Sequence, residues 1–159
     1  MIIKVGMADL NVAAFPNRIR TTGLGSCVGV VLYDSLNKIG GMAHVMLPDS
    51  SLSKGNINEA KYADTAIPRL IQELEKLGAE RGFLTAKLVG GAQMFAFSTM
   101  NETMKVGLRN VEACKGILNR ERIPVVAEDT GGNWGRTIEL DSKTGQLSIR
   151  TVNQGEKKI

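Results

Sequence analysis

Apolar residues fill two short runs, from Val28 to Tyr33 and from Ile39 to Leu47, with Asp34, Ser35, Leu36 and Asn37 between them. β-Branched and aromatic runs flanking a four-residue loop predict a β-hairpin. After a polar stretch from Asp49 to Asn58 the period changes. Ala63, Ala66, Ile67, Leu70, Ile71, Leu74 and Leu77 recur at steps of three and four, which predicts an amphipathic helix, with Gly78 placed to cap its C-terminus. Pro68 lies inside that pattern and predicts a kink or two abutting helices, because proline has no N–H to give to the preceding turn.

A strand is expected around Thr85 to Val89, followed by the glycine pair of GGAQ. A second helix is predicted from about Asn101 to Asn119, with Met104, Leu108, Val111, Cys114 and Leu118 on one face. Three strands follow, from Ile123 to Glu128, Arg136 to Leu140 and Gln146 to Val152. The last two are joined by a turn of Asp141, Ser142, Lys143, Thr144 and Gly145. Strands grouped on both sides of two main helices predict an α/β layered single domain over residues 1–159, with a mixed, largely antiparallel sheet.

Composition narrows the function classes. At 159 residues and 43% hydrophobic, the chain has enough apolar material for an ordinary core without cross-links. No apolar run approaches the roughly 20 residues that a membrane-spanning helix needs. Asp9 and Asn11 interrupt the opening segment, so it does not read as a signal peptide, and a cytoplasmic location is expected. In a reducing compartment Cys27 and Cys114 are expected to be free thiols. A single histidine leaves almost no material for a zinc site, and no cofactor is expected. The net charge of +4 comes from basic residues spread along the chain. They are not interleaved with aromatics as single-stranded nucleic acid requires, so no nucleic-acid partner and no membrane insertion are expected, and a monomer is.

The segment TTGLGSCVGV brings Cys27 to the start of a strand directly after Gly25 and Ser26. Backbone N–H groups in such an entry are free to converge on one small space, which suits an oxyanion. Pairing Tyr33 with Lys38 across the hairpin loop sets Cys27 opposite His44 on the same face, a placement in which a thiolate–imidazolium pair forms. The plainer reading is packing: a cysteine that opens a strand is more often a small buried hydrophobe, and a lone histidine more often a core residue. Spacing alone leaves that reading slightly ahead, since a one-residue slip separates the two side chains across the sheet. Cys114 falls on the apolar face of its helix and belongs to the core. Thr21, Thr22, Ser26 and Asp49 are all near enough in sequence to orient the imidazole, and spacing does not choose among them.

Beyond these residues, TTGLGSCVGV, GGMAHVMLP, KYADTAIPRL, KLVGGAQMF, VGLRN, EDTGGNWGRTI and DSKTG together resemble the CheD family of chemoreceptor glutamine deamidases, over nearly the whole length. The resemblance implies a triad with Cys27 as nucleophile, His44 as base and Thr21 as third member, and it reverses the preference for packing at Cys27 and His44. It implies a three-layered α/β fold like the catalytic domain of cytotoxic necrotizing factor toxins. It also implies the cytoplasmic region of chemotaxis receptors as substrate and a CheC-type phosphatase as partner. The oxyanion is then expected on the backbone N–H groups of Gly25, Ser26 and Cys27. GGAQ and DTGG read as strand-end turns near the site, without catalytic roles for Gly90, Gly91 or Asp129.

Two other function classes compete. A cysteine peptidase or transglutaminase-like acyl transferase uses the same thiolate chemistry and differs in what attacks the thioester. A binding module that only regulates the phosphatase has no need of Cys27.

Overall fold

The computed structural model describes residues 1–51, 53–94 and 105–159. Two neighbouring strands, β4 (Val28–Asp34) and β5 (Ile39–Val45), bury every one of their residues. Strands buried on both faces must lie in a middle layer, and the rest of the chain supplies the two outer ones. β4 and β5 belong to a five-stranded sheet in the order β2 (Leu10–Ala14), β5, β4, β6 (Leu84–Gly90), β7 (Val125–Thr130). One face carries helices α1 (Ala63–Leu77) and α2 (Val106–Arg120), which share a core with Val28, Val30, Leu32, Ala43 and Val45. The other face packs on a second five-stranded sheet, ordered β1 (Ile2–Val5), β3 (Arg18–Leu24), β8 (Arg136–Asp141), β9 (Leu147–Thr151), β10 (Gly155–Lys158). That inter-sheet core holds Ile19, Leu24, Cys27, Val31, Met42, Ile138, Leu140 and Ile149. The architecture is α/β in three layers, with two mixed sheets where one was expected. β1–β3 and β6–β7 are parallel, and the other pairs are antiparallel.

The first predicted helix forms with the face expected of it. Ala63, Ala66, Ile67, Leu70, Ile71 and Leu74 are buried, and each fully buried leucine or isoleucine contributes about 1.5–3 kcal/mol. Leu77 is exposed instead, at the last helical position. Gly78, at φ 114°, caps the helix by donating to Glu75 and Leu74 carbonyls. Pro68 neither splits nor ends it: α1 runs 15 residues without a break. The proline lies early in the helix, so the missing N–H deprives only the Asp64 carbonyl of its helical donor. In α2 the buried residues are Gly107, Asn110, Val111, Cys114 and Leu118, and Leu108 points outward. The predicted stretch from Asn101 to Met104 lies outside the described residues.

The hairpin forms, but in a shifted register. Tyr33 pairs with Gly40 rather than Lys38, and Gly29, not Cys27, stands opposite His44. The cause is Asp34, which is wholly buried and ends β4 opposite Ile39. Its carboxylate accepts hydrogen bonds from Leu36 N and Asn37 N at 3.0 Å, Asn37 Nδ2 at 2.7 Å and Glu80 N at 2.8 Å. The carboxylate therefore organises the turn from inside the strand, and Lys38 takes the left-handed position at φ 54°. Because the shift is two residues, every side chain keeps its face.

Candidate active site

His44 lies on β5, on the face turned toward the second sheet. Thr21 reaches it from β3: Thr21 Oγ1 is 2.7 Å from His44 Nδ1 and 2.8 Å from the Val5 carbonyl oxygen. Val5 is the neighbour of Thr21 on the parallel strand β1. The threonine has one hydroxyl proton for two neighbours. A carbonyl can only accept, so that proton goes to Val5, and His44 Nδ1 must carry the hydrogen that it donates to Thr21. In the neutral ring this leaves the lone pair on Nε2. Nε2 is buried and has no hydrogen-bond partner among the described residues.

Cys27 sits in a bend immediately before β4, at 7% exposure. Extending the observed register one step past Val28 and Val45 aligns Cys27 with Met46, which makes His44 its diagonal neighbour on the same face. Diagonal pairs on antiparallel strands have Cβ atoms roughly 7–8 Å apart or less. Burial pushes the Cys27 thiol above its ordinary 9.0, with its own backbone N–H acting in the opposite direction. Burial pushes the His44 imidazole below its ordinary 6.5. Both directions favour the uncharged thiol and imidazole as the resting pair.

The loop that presents Cys27 is held by its carbonyls. Ala92 N donates to Gly25 O at 2.8 Å and Gly91 N donates to Cys27 O at 2.9 Å. Asn110 Nδ2, from α2, donates to Ser26 O at 3.0 Å and also to Met46 O at 3.0 Å. GGAQ is thus the support of the cysteine loop. Gly90 is at φ 114°, and a Cβ there would collide with the Cys27 carbonyl, which only glycine avoids. DTGG supports GGAQ in turn: Gly131 N donates to Gly90 O at 3.0 Å and Gln93 N to Gly132 O at 2.8 Å. Asp129 is engaged by Arg136 at 3.4 Å and Lys157 at 3.2 Å, a structural employment.

Of the candidates for the third position, Thr21 is buried beside His44, whereas Thr22 is exposed on the opposite face of β3. Asp49 is exposed and accepts from Ser51 N and Oγ at 2.9 Å. Of the three expected oxyanion donors, the Gly25 N–H is turned to Gly23 O at 3.1 Å, which closes a local turn and removes it from the set. Cys114 is wholly buried and its thiol is pushed up to about 12. Asn110 had no assigned role in the sequence. Gly107, Asn110, Val111, Cys114 and Leu118 themselves follow helical spacing, and an asparagine on such a buried stripe is the signal that was there to read. Beside the site, Leu47, Pro48, Asp49, Ser53, Tyr62 and Arg109 line a groove of about 440 Å³. Met94, half exposed, covers Gly25.

A family model described as CheD chemotactic sensory transduction matches residues 46–151. The chain belongs to the CheD family. It is 60% identical, over 99% of its length and 98% of the relative's, to the chemoreceptor glutamine deamidase CheD of Halalkalibacterium halodurans. It is 54% identical to the protein of the same name from Bacillus subtilis, over 100% of this chain and 96% of that one. The probable chemoreceptor glutamine deamidase CheD of Lachnoclostridium phytofermentans is 57% identical over 99% and 98%. In these terms the Thr21–His44 contact and the braced Cys27 loop are the structural setting of a CheD chain.

Proposed function

We propose that the protein is a single cytoplasmic deamidase domain, residues 1–159, that converts glutamines of chemotaxis receptors to glutamate through Cys27, His44 and Thr21. One observation carries this: the 2.7 Å contact in which Thr21 Oγ1 accepts from His44 Nδ1–H, which leaves the Nε2 lone pair for the inter-sheet face that Cys27 shares. The names of the relatives support the substrate class. That no helix among the described residues is long and apolar enough to cross a membrane fits a cytoplasmic reading. The sheet–sheet–helix layering fits the likeness to the catalytic domain of cytotoxic necrotizing factor toxins.

The reaction follows from the resting protonation. As Cys27 Sγ attacks the carboxamide carbon, His44 Nε2 takes the thiol proton, so the nucleophile is activated only when it is used. The oxyanion is held by the N–H groups of Ser26 and Cys27. His44 returns the proton to the amide nitrogen, the C–N bond breaks, and ammonia leaves behind a thioester. His44 then takes a proton from water, the hydroxide adds to the thioester carbon, and the C–S bond breaks to give glutamate and the cysteine. Thr21 fixes the tautomer but, being neutral, does not offset the positive charge on the imidazolium as a carboxylate does, which makes for modest turnover. CheD membership also supports a second role as partner and stimulator of a CheC-type phosphatase.

The test is to incubate the protein with receptor cytoplasmic fragments and map glutamine-to-glutamate changes by peptide mass spectrometry, measuring ammonia in parallel. Ammonia release with intact peptide bonds and no amine incorporation separates a deamidase from a peptidase or acyl transferase. Folded Cys27→Ala protein that still deamidates overturns the mechanism. Loss of deamidation with phosphatase stimulation retained establishes two separable functions.

A further inference from the structure

We infer that Asn110 is a positioning residue of the reaction, which sets the Ser26–Cys27 peptide so that the Cys27 N–H faces the developing oxyanion; this rests on the Cys27 reading above. Both hydrogens of the Asn110 amide are committed, one to Ser26 O and one to Met46 O. Two carbonyl acceptors on one nitrogen also settle which end of the amide is the NH2. In a trans peptide the C=O and N–H point in opposite directions. Drawing the Ser26 carbonyl toward α2 therefore turns the Cys27 N–H away from α2. Ala92 does the same one residue earlier: its hold on Gly25 O turns the Ser26 N–H outward. Ala92 acts through its backbone and Asn110 through its side chain, so only the second brace depends on residue type.

The bond to Met46 adds a reference point. Met46 lies two residues beyond His44, so one amide ties the peptide that bears the oxyanion donor to the strand that bears the base. Asn110 is wholly buried, and its Oδ1 has no hydrogen-bond partner among the described residues.

The test compares two reactions of the same thiol, in a Cys114→Ala background so that labelling reports Cys27 alone. Deamidation of a receptor fragment passes through an oxyanion. Alkylation by iodoacetamide does not. His44→Ala should slow both. Asn110→Ala should lower kcat for deamidation by about 10²-fold, the scale of a misplaced reacting group or a lost oxyanion donor, with KM changed much less and alkylation nearly as fast as in the parent. Equal loss in both reactions, or no loss, overturns the inference. Asn110→Asp is a second variant of the same size: protonated it keeps one donor, so its deamidation should fall as pH rises and the carboxyl ionises. If both variants unfold where the Cys114→Ala parent stays folded by circular dichroism, Asn110 is a stability residue and the inference fails. If Cys27→Ala still deamidates, it is the underlying mechanism that fails instead.

Discussion

Thr21 accepts a hydrogen bond from His44 Nδ1 because its own proton is committed to the Val5 carbonyl. Thr21→Ser keeps this arrangement and should keep most of the activity. Thr21→Ala removes the acceptor and should cost part of the ~10²–10⁴-fold that general acid–base catalysis supplies. Ring ¹⁵N shifts of His44 check the cause directly: one tautomer in the parent, a mixture in Thr21→Ala. A single unchanged tautomer in the variant would remove the role given to Thr21.

Burial of His44 predicts a pH profile. The base works only when neutral, and its pKa lies below the ordinary 6.5, so kcat/KM should hold through neutral pH and fall only on the acid side of 6.5. Stability moves in the same direction. Below 6.5 the unfolded chain takes up a proton that the folded one does not, so the contribution of neutral His44 is complete above 6.5 and is lost as pH falls toward the folded pKa. Urea midpoints from pH 7 downward should show this loss in the parent and less of it in His44→Gln.

The two thiols should label on different schedules. Cys114 is wholly buried with a thiol pushed up to about 12, so it should react only on unfolding. Cys27 should react in the native protein, faster as pH rises, and more slowly in His44→Ala. Native labelling of both at one rate would make Cys27 an ordinary core thiol.

Asp34 gives a test of the fold independent of the chemistry. Burial alone would push its carboxyl up, but the hydrogen bonds from the Asn37 side chain and from Glu80, Asn37 and Leu36 N–H groups hold it below the ordinary 3.8. Such a depressed carboxyl stabilises the protein above 3.8, an advantage lost as pH falls through the folded pKa. Asp34→Ala leaves buried N–H donors unmatched and should cost about 3 kcal/mol in urea unfolding at neutral pH. A cost near zero would mean that the hairpin register is set elsewhere.

Asp34 also shows where legibility ended. The two runs of the hairpin are plain in the sequence, but a carboxylate that belongs to the strand and serves the turn is indistinguishable there from a loop residue. β3 hides for a related reason. Arg18 and Arg20 point to solvent and pair with Glu139 across to β8, so the strand lacks an apolar run. β10, Gly155–Lys158, is exposed throughout and is held by backbone pairing to β9. At the site, the shared face of Cys27 and His44 followed from strand periodicity and survived the register error because faces repeat every two residues. Thr21 required a partner from the other sheet, and Asn110 required carbonyls from two distant segments, at Ser26 and Met46. The stripe of α2 marks Asn110 as inward-facing, but the partners of Thr21 and Asn110 leave no local trace.

Burial favours the uncharged forms of Cys27 and His44, and neither Thr21 nor a carboxamide carries a formal charge. No ion has to shed its water when the glutamine side chain enters, and no counterion has to be displaced from the reacting atoms. The charges of this chain lie elsewhere, in a net excess of +4. Ionic strength should therefore govern how readily a receptor fragment arrives and leave untouched what happens once it is seated: KM should vary with salt while kcat stays constant.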